Sequence, residues 1–212
     1  RRRGSARLSG PTPAAGFSGP PVHTMSGVDT SATYYQDVRV PVANRVGEED
    51  AGWKLVTNQL NHERVALVSA QPIFTALGEV REWAQNTKDA KGIRLIDHEW
   101  VQLNLARVHA KAEYLKLINW ELASSKDAAP SPADASAAKV FGTELATEAY
   151  RLLMEILGPS ATLRQGSHGA LLRGRVERMH RSALILTFGG GTNEIQRDII
   201  GMVALGLPRA NR

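Results

Sequence analysis

AGWKLVTNQLNHERVALVSAQPIFTALGEVREWAQ, residues 51–85, decides the architecture. Val56, Leu60, Glu63, Leu67, Ala70, Phe74 and Leu77 recur at steps of three and four, the spacing that lines one face of an α-helix. Pro72 has no N–H to donate, so a kink is expected there. Downstream, the same period returns between breakers. The loop KDAKG (88–92) precedes a predicted helix over 97–125, with Asp97 as N-cap. AAPSP (128–132) ends it, and Ser131-Pro132 opens a third helix that reaches Leu157 before Gly158-Pro159. Residues 160–174 read as loop. A fourth helix spans 176–187, the loop FGGGTN fills 188–193, and a short fifth helix covers 194–205. Long helices joined by short connections imply antiparallel neighbours, hence a bundle.

Upstream the pattern changes. Residues 33–42, TYYQDVRVPV, carry β-branched and aromatic side chains with alternation at Val38 and Val40, so one or two strands are expected. Pro41 assigns them to an edge or a strand end. So little β-structure does not make a stable sheet alone, and the chain reads as truncated at its N-terminus. Residues 1–22, rich in Arg, Gly, Pro and Ser, read as a disordered tail.

Composition narrows the function. Hydrophobic residues make up 42% of the 212, enough for a substantial core. There is no cysteine, which removes disulfide frameworks and thiolate metal sites and fits a reducing cytoplasm. The net charge is +5, but Arg1, Arg2, Arg3 and Arg7 supply four of those charges. The rest of the chain sums to +1, so a nucleic-acid-binding face is not indicated. No apolar run is long enough for a membrane span, and the Arg-rich start lacks the apolar region of a signal peptide.

Among residues that could carry chemistry, Glu63 stands out. On the stripe it lies three after Leu60 and four before Leu67. A buried carboxylate needs a partner or a raised pKa. Two readings stay open: an ion pair with Lys111 or Arg181, or a general base tuned upward by burial. The loop 188–193 precedes a helix, so its N–H groups are free to meet an anion or a polarised carbonyl, and three glycines permit close approach. Capping of the two flanking helices explains the same residues equally well. Ser136-Ala-Ala-Lys139 matches the S-x-x-K string of serine acyltransferases, but no S-D-N or K-T-G accompanies it, so it reads as chance. His98, His109, His168 and His180 have no metal-ligand spacing, and no metal site is expected.

These stretches together resemble the acyl-CoA dehydrogenase family from about residue 20 to the C-terminus. YYQDVRVPVANRVGEEDAGW (34–53) is similar to the end of the family's middle β-domain and the entry to its first C-terminal helix. VERMHRSALILTFGGGTNEIQRDIIG (176–201) is similar, without gaps, to the penultimate helix, flavin loop and last helix; the ending LGLPR is also family-like. The resemblance implies a mainly α fold. Residues 51–212 would be the C-terminal four-helix bundle, and 23–50 a remnant of the middle β-domain.

It also implies α,β-dehydrogenation of an acyl-CoA thioester. A glutamate takes the α-proton, FAD takes the hydride, and an electron-transfer flavoprotein reoxidises the flavin. One subgroup keeps the glutamate in the flavin loop, where this chain has Gly190. The other keeps it on the first bundle helix before an arginine, where this chain has Glu63 followed by Arg64. By resemblance, then, Glu63 is the base and Arg64 its support, while the Gly190 N–H is half of an oxyanion hole. Gly191, Thr192 and Glu194 would touch the chain's own FAD. Two departures accompany this. The family's Arg-x-x-Phe-Gly, which grips FAD in a neighbouring subunit, appears as Lys88-Asp-Ala-Lys91-Gly92. Its Gln-x-x-Gly-Gly appears as Glu155-Ile-Leu-Gly158-Pro159. This combination resembles the heteromeric α2β2 dehydrogenases of actinobacterial steroid and lipid catabolism. A homologous partner subunit then supplies the missing half, and this chain alone is expected to be inactive. The other arrangements are a homo-oligomer and a non-catalytic subunit that supports a partner's site.

Overall fold

The computed structural model describes residues 6–10, 14–124 and 130–209; the expected tail lies partly outside them. Within the described part the chain makes short antiparallel pairings. β1 (Arg7–Leu8), β2 (Phe17–Ser18) and β3 (Pro21–Val22) fold back antiparallel on β4 (Thr30–Ser31), β5 (Tyr34–Tyr35) and β6 (Arg45–Val46). The pairs Val22–Thr30 and Ser18–Tyr34 share one register, and Leu8–Arg45 is offset by one residue beyond a 3-10 turn at Val42–Asn44. Gly- and Pro-rich sequence thus forms a ribbon of two-residue pairings, because each partner comes from the 30–46 segment. The expected strand over 33–42 shrinks to Tyr34–Tyr35, since Asp37 takes a left-handed φ of 51°. Val38 and Val40 still alternate as half-buried positions.

Six α-helices follow: α1 (Gly52–Ala66), α2 (Gln71–Asn86), α3 (Glu99–Ser124), α4 (Pro132–Leu157), α5 (Arg175–Ala183) and α6 (Asn193–Val203). No strand occurs among the described residues after Val46. The kink expected at Pro72 is a full break. The chain leaves helix after Ala66, and Pro72 sits in the first turn of α2, where a missing N–H costs nothing. In the break itself, Val68 O accepts from Asn119 Nδ2 on α3 at 2.8 Å. Asp97 does not cap α3. Its carboxylate accepts from Arg94 Nε and Nη2 at 2.8 and 2.9 Å across a 3-10 turn. Ser131 does cap α4, its Oγ accepting from Asp134 N at 3.2 Å.

α4 is the central post. It packs against α1, α2, α3, α5 and α6, and Leu153 and Ala149 on it are fully buried. Gly142 lets the α1–α2 break approach, since a Cβ there would stand 2.5 Å from Val68 Cβ.

Candidate functional site

The glycine loop runs between the 3-10 turn Leu184–Thr187 and the N-terminus of α6, and three helices grip it. From α4, Lys139 is fully buried, and its Nζ donates to Thr187 O (3.1 Å), Gly191 O (2.8 Å) and Asn193 Oδ1 (2.7 Å). Burial and the nearby Arg64 lower the Lys139 pKa. One turn away on α4, Ser136 Oγ donates to Gln196 Oε1 at 2.8 Å, and Gln196 Nε2 reaches Gly190 O at 3.3 Å. Asn193 Nδ2 in turn donates to Thr143 Oγ1 at 3.1 Å. From α1, Arg64 Nε donates to the same Gly190 O at 3.1 Å, while its Nη1 holds Asn61 Oδ1 at 2.8 Å. Gly191 has φ +97°, and a Cβ there would meet Gln196 Nε2 at 2.6 Å, so only glycine fits.

Glu63 is exposed, not on the core stripe; the buried charge is its neighbour Arg64, 8% exposed. The break after Ala66 resets the helical phase, so a stripe drawn through residues 56–77 joins two faces that are not one. Neither expected ion pair forms, because Lys111 takes Glu148 and Arg181 takes Glu177. The residues that follow Glu63 on α1 nonetheless border the loop. Leu67, one turn on from Glu63, lies 3.3 Å from where a Gly190 Cβ would be, and Arg64 Cγ lies 3.5 Å from that point.

The N-terminus of α6 fits a ligand rich in hydroxyl groups. Thr192 caps it, Oγ1 accepting from Ile195 N at 3.4 Å. The exposed Glu194 carboxyl has its pKa lowered by its own backbone N–H first and by the Thr192 hydroxyl second. An ionised carboxylate there accepts from sugar-alcohol hydroxyls and would repel a phosphate. Among the described residues, the N–H groups of Gly190 and Thr192 have no acceptor. Gly190, Gly191, Thr192 and Glu194 follow one another through the loop into the first turn of α6, and Arg64, the chain neighbour of Glu63 on α1, binds the Gly190 carbonyl. An apolar crevice of about 350 Å³ is lined by Leu67, Val68, Ile73, Tyr150 and Leu186. Burial pushes the Tyr150 hydroxyl up to about 12.

Sequence reading missed Ser136, Lys139, Thr143 and Gln196. A signal existed: 136, 139 and 143 are polar at steps of three and four on an otherwise apolar face of α4. The string Ser136-x-x-Lys139 matches the acyltransferase motif only by chance, and its two side chains are buried against the loop and α6.

The other two marked segments are closed on themselves. Asp89 Oδ1 accepts from Lys91 N (2.8 Å) and Ile93 N (3.0 Å), and Lys88 pairs antiparallel with Arg94, leaving Lys88 and Lys91 exposed. Glu155 is ion-paired with Arg151 and accepts from Asn104 Nδ2 at 3.4 Å. Pro159 opens a 3-10 turn.

Comparison with known proteins places this geometry. The profile "Acyl-CoA dehydrogenase, C-terminal domain" matches residues 50–205. The chain is 83% identical to acyl-CoA dehydrogenase FadE26 of Mycobacterium tuberculosis and 38% identical to FadE29 of the same organism, in each case over all of this chain and 54% of the relative. It thus spans about half the length of these curated relatives. A chain in the crystal structure of the ChsE4-ChsE5 complex from M. tuberculosis superposes with a TM-score of 0.90 at 84% identity, covering 97% of this chain and 53% of that one. A chain of the Tcur3481-Tcur3483 steroid ACAD gives 0.88 at 39%, covering 97% and 52%. The chain belongs to the acyl-CoA dehydrogenase family, and its bundle is that family's C-terminal domain.

Proposed function

We propose that this chain is the C-terminal half of the catalytic subunit of a heteromeric acyl-CoA dehydrogenase, with Glu63 as the base that removes the thioester α-proton. The observation that carries the reading is the Arg64–Gly190 hydrogen bond. It joins the helix bearing Glu63 to a loop whose Gly190 N–H has no acceptor among the described residues. A carboxylate and an unused N–H on adjoining elements are what abstraction of a proton next to a carbonyl needs. One takes the proton, and the other meets the charge developing on oxygen. Glu63 lies exposed in this chain, so whatever covers it against the loop must exclude water for the base to act.

Gly191, Thr192 and Glu194 would hold FAD, which accepts the hydride when bound. Glu194 serves hydroxyl donors, and the glycines allow close approach. The partner is a homologous subunit, because Glu155 is already engaged by Arg151 and residues 88–92 are closed around Asp89. α3 also leaves Trp100, Leu103, Tyr114, Leu117 and Trp120 exposed, an apolar face that subunit contact would cover. That the related ChsE4-ChsE5 structure is a complex of two differently named proteins supports the same reading. The "steroid ACAD" relative favours a bulky acyl-CoA as substrate, with an electron-transfer flavoprotein as the electron acceptor.

The test is Glu63→Gln in the full-length subunit produced with its partner. Flavin binding is expected to persist while flavin reduction by substrate falls about 10²–10⁴-fold or more. Reduction near the unmodified rate would return Glu63 to a surface role.

A further inference from the structure

We propose that Ser136 and Lys139 on α4 are positioning residues for the thioester carbonyl, bracing the 187–193 loop so that its free N–H groups face the ligand. The inference rests on the dehydrogenase reading above and assigns a role to two residues that the chemistry itself does not touch.

Lys139 anchors the loop. Its Nζ meets three acceptors at 2.7–3.1 Å: Thr187 O, Gly191 O and Asn193 Oδ1. A neutral amine has two hydrogens and an ammonium three, so full satisfaction of this set requires the charged form. A buried ammonium is costly unless it is hydrogen-bonded throughout, and here the loop supplies the whole shell. Lysine and loop therefore fix each other.

Peptide geometry sets the direction. Across a trans peptide the C=O of one residue and the N–H of the next point opposite ways. Drawing Gly191 O inward to Lys139 therefore turns the Thr192 N–H outward, and that N–H has no acceptor among the described residues. Gly190 O is drawn inward by Arg64 and by Gln196, which Ser136 holds in place, and the Gly191 N–H closes back on Phe188 O at 3.1 Å. Gly190 thus lies between two anchored stretches, Thr187 and Gly191, with its own N–H unused. Without the brace, nothing on α4 holds those carbonyls, and a loop of three glycines has many alternatives.

A role through the carbonyl differs measurably from mere support. The full-length subunit with its partner is titrated with octanoyl-CoA and with S-octyl-CoA, a thioether that lacks the carbonyl oxygen. The unmodified complex is expected to prefer the thioester. Lys139→Met, of similar length but uncharged, is expected to weaken octanoyl-CoA binding about tenfold, equivalent to about 1.4 kcal/mol, with S-octyl-CoA binding unchanged. Ser136→Ala unties only Gln196, so it is expected to reduce the same preference by a smaller factor, and it carries the test if Lys139→Met does not fold. Unchanged preference in either folded variant, or equal weakening for both ligands, would overturn the proposal. An unmodified complex with no preference for the thioester would overturn the dehydrogenase reading itself.

Discussion

α4 and α1 are both amphipathic helices of the bundle, yet they are held in opposite ways. Fifteen of the 26 residues of α4 are buried, whereas α1 buries only Gly52 and Arg64 out of 15. α4 derives its place from apolar packing on nearly every side. On α1 the buried side chain is a polar one, the arginine that grips the glycine loop. Burial is therefore concentrated on α4, and the candidate site lies where a lightly buried helix meets a loop hydrogen-bonded to α4.

Truncation on the two helices breaks or upholds this contrast most directly. Leu153→Ala, at a fully buried position of α4, is expected to lower unfolding stability by about 2–5 kcal/mol. A loss below about 1 kcal/mol in denaturant unfolding would remove α4 from its central place. Gly142→Ala probes the opposite error, overfilling. Its Cβ would press on Val68, so a loss of about 1–3 kcal/mol is expected, relieved in part by Val68→Ala in the same chain.

A third variant tests what joins the β-ribbon to the bundle. Arg181 Nε donates to Glu177 Oε1 at 2.6 Å, and its Nη1 donates to Met25 O at 2.5 Å. The hydrogen bond from Arg181 holds the Glu177 carboxyl below its usual pKa. A depressed folded-state pKa means stabilisation that is present above the unfolded pKa and lost as pH falls through the folded one. The acid side of the stability–pH curve should therefore flatten in Glu177→Gln. The loss near neutral pH should be about 1 kcal/mol, kept small because Arg181 is partly in water. A variant curve parallel to the unmodified one would show that this pair does not couple to folding. Smallest of all, Val56→Ala, 36% exposed on α1, is expected to change stability by no more than about 0.5 kcal/mol. A larger loss would mean that α1 is packed more firmly than its exposure shows.

Most of the helical architecture was legible because Gly, Pro and Ser punctuate an apolar period. Ser131-Pro132 and Gly158 mark the ends of α4 as the structure has them. Glu63 was misplaced for a physical reason: periodicity assumes one continuous helix, and the four residues between Ala66 and Gln71 that belong to neither helix break the phase. The ribbon was missed because its strands are two residues long and depend on pairing with a distant segment, which local composition does not reveal. The brace of Ser136, Lys139 and Gln196 was hidden in a string that resembles a different enzyme's motif. Its meaning comes only from the acceptors that α6 and the loop bring to it.

The central proposal is that the chain would hold one half of a flavin site and depend on an unlike neighbour for the other. Flavin content decides it most directly, measured on the full-length subunit expressed alone and then with a paralogue that carries Arg-x-x-Phe-Gly and Gln-x-x-Gly-Gly. The physical contrast is that Arg forks onto a pyrophosphate with two parallel hydrogen bonds, whereas Lys88 and Lys91 offer point charges and Pro159 no N–H. Weak flavin binding alone and about one FAD per pair of unlike subunits together is the predicted result. One tightly bound FAD per identical subunit, with no partner present, would contradict it.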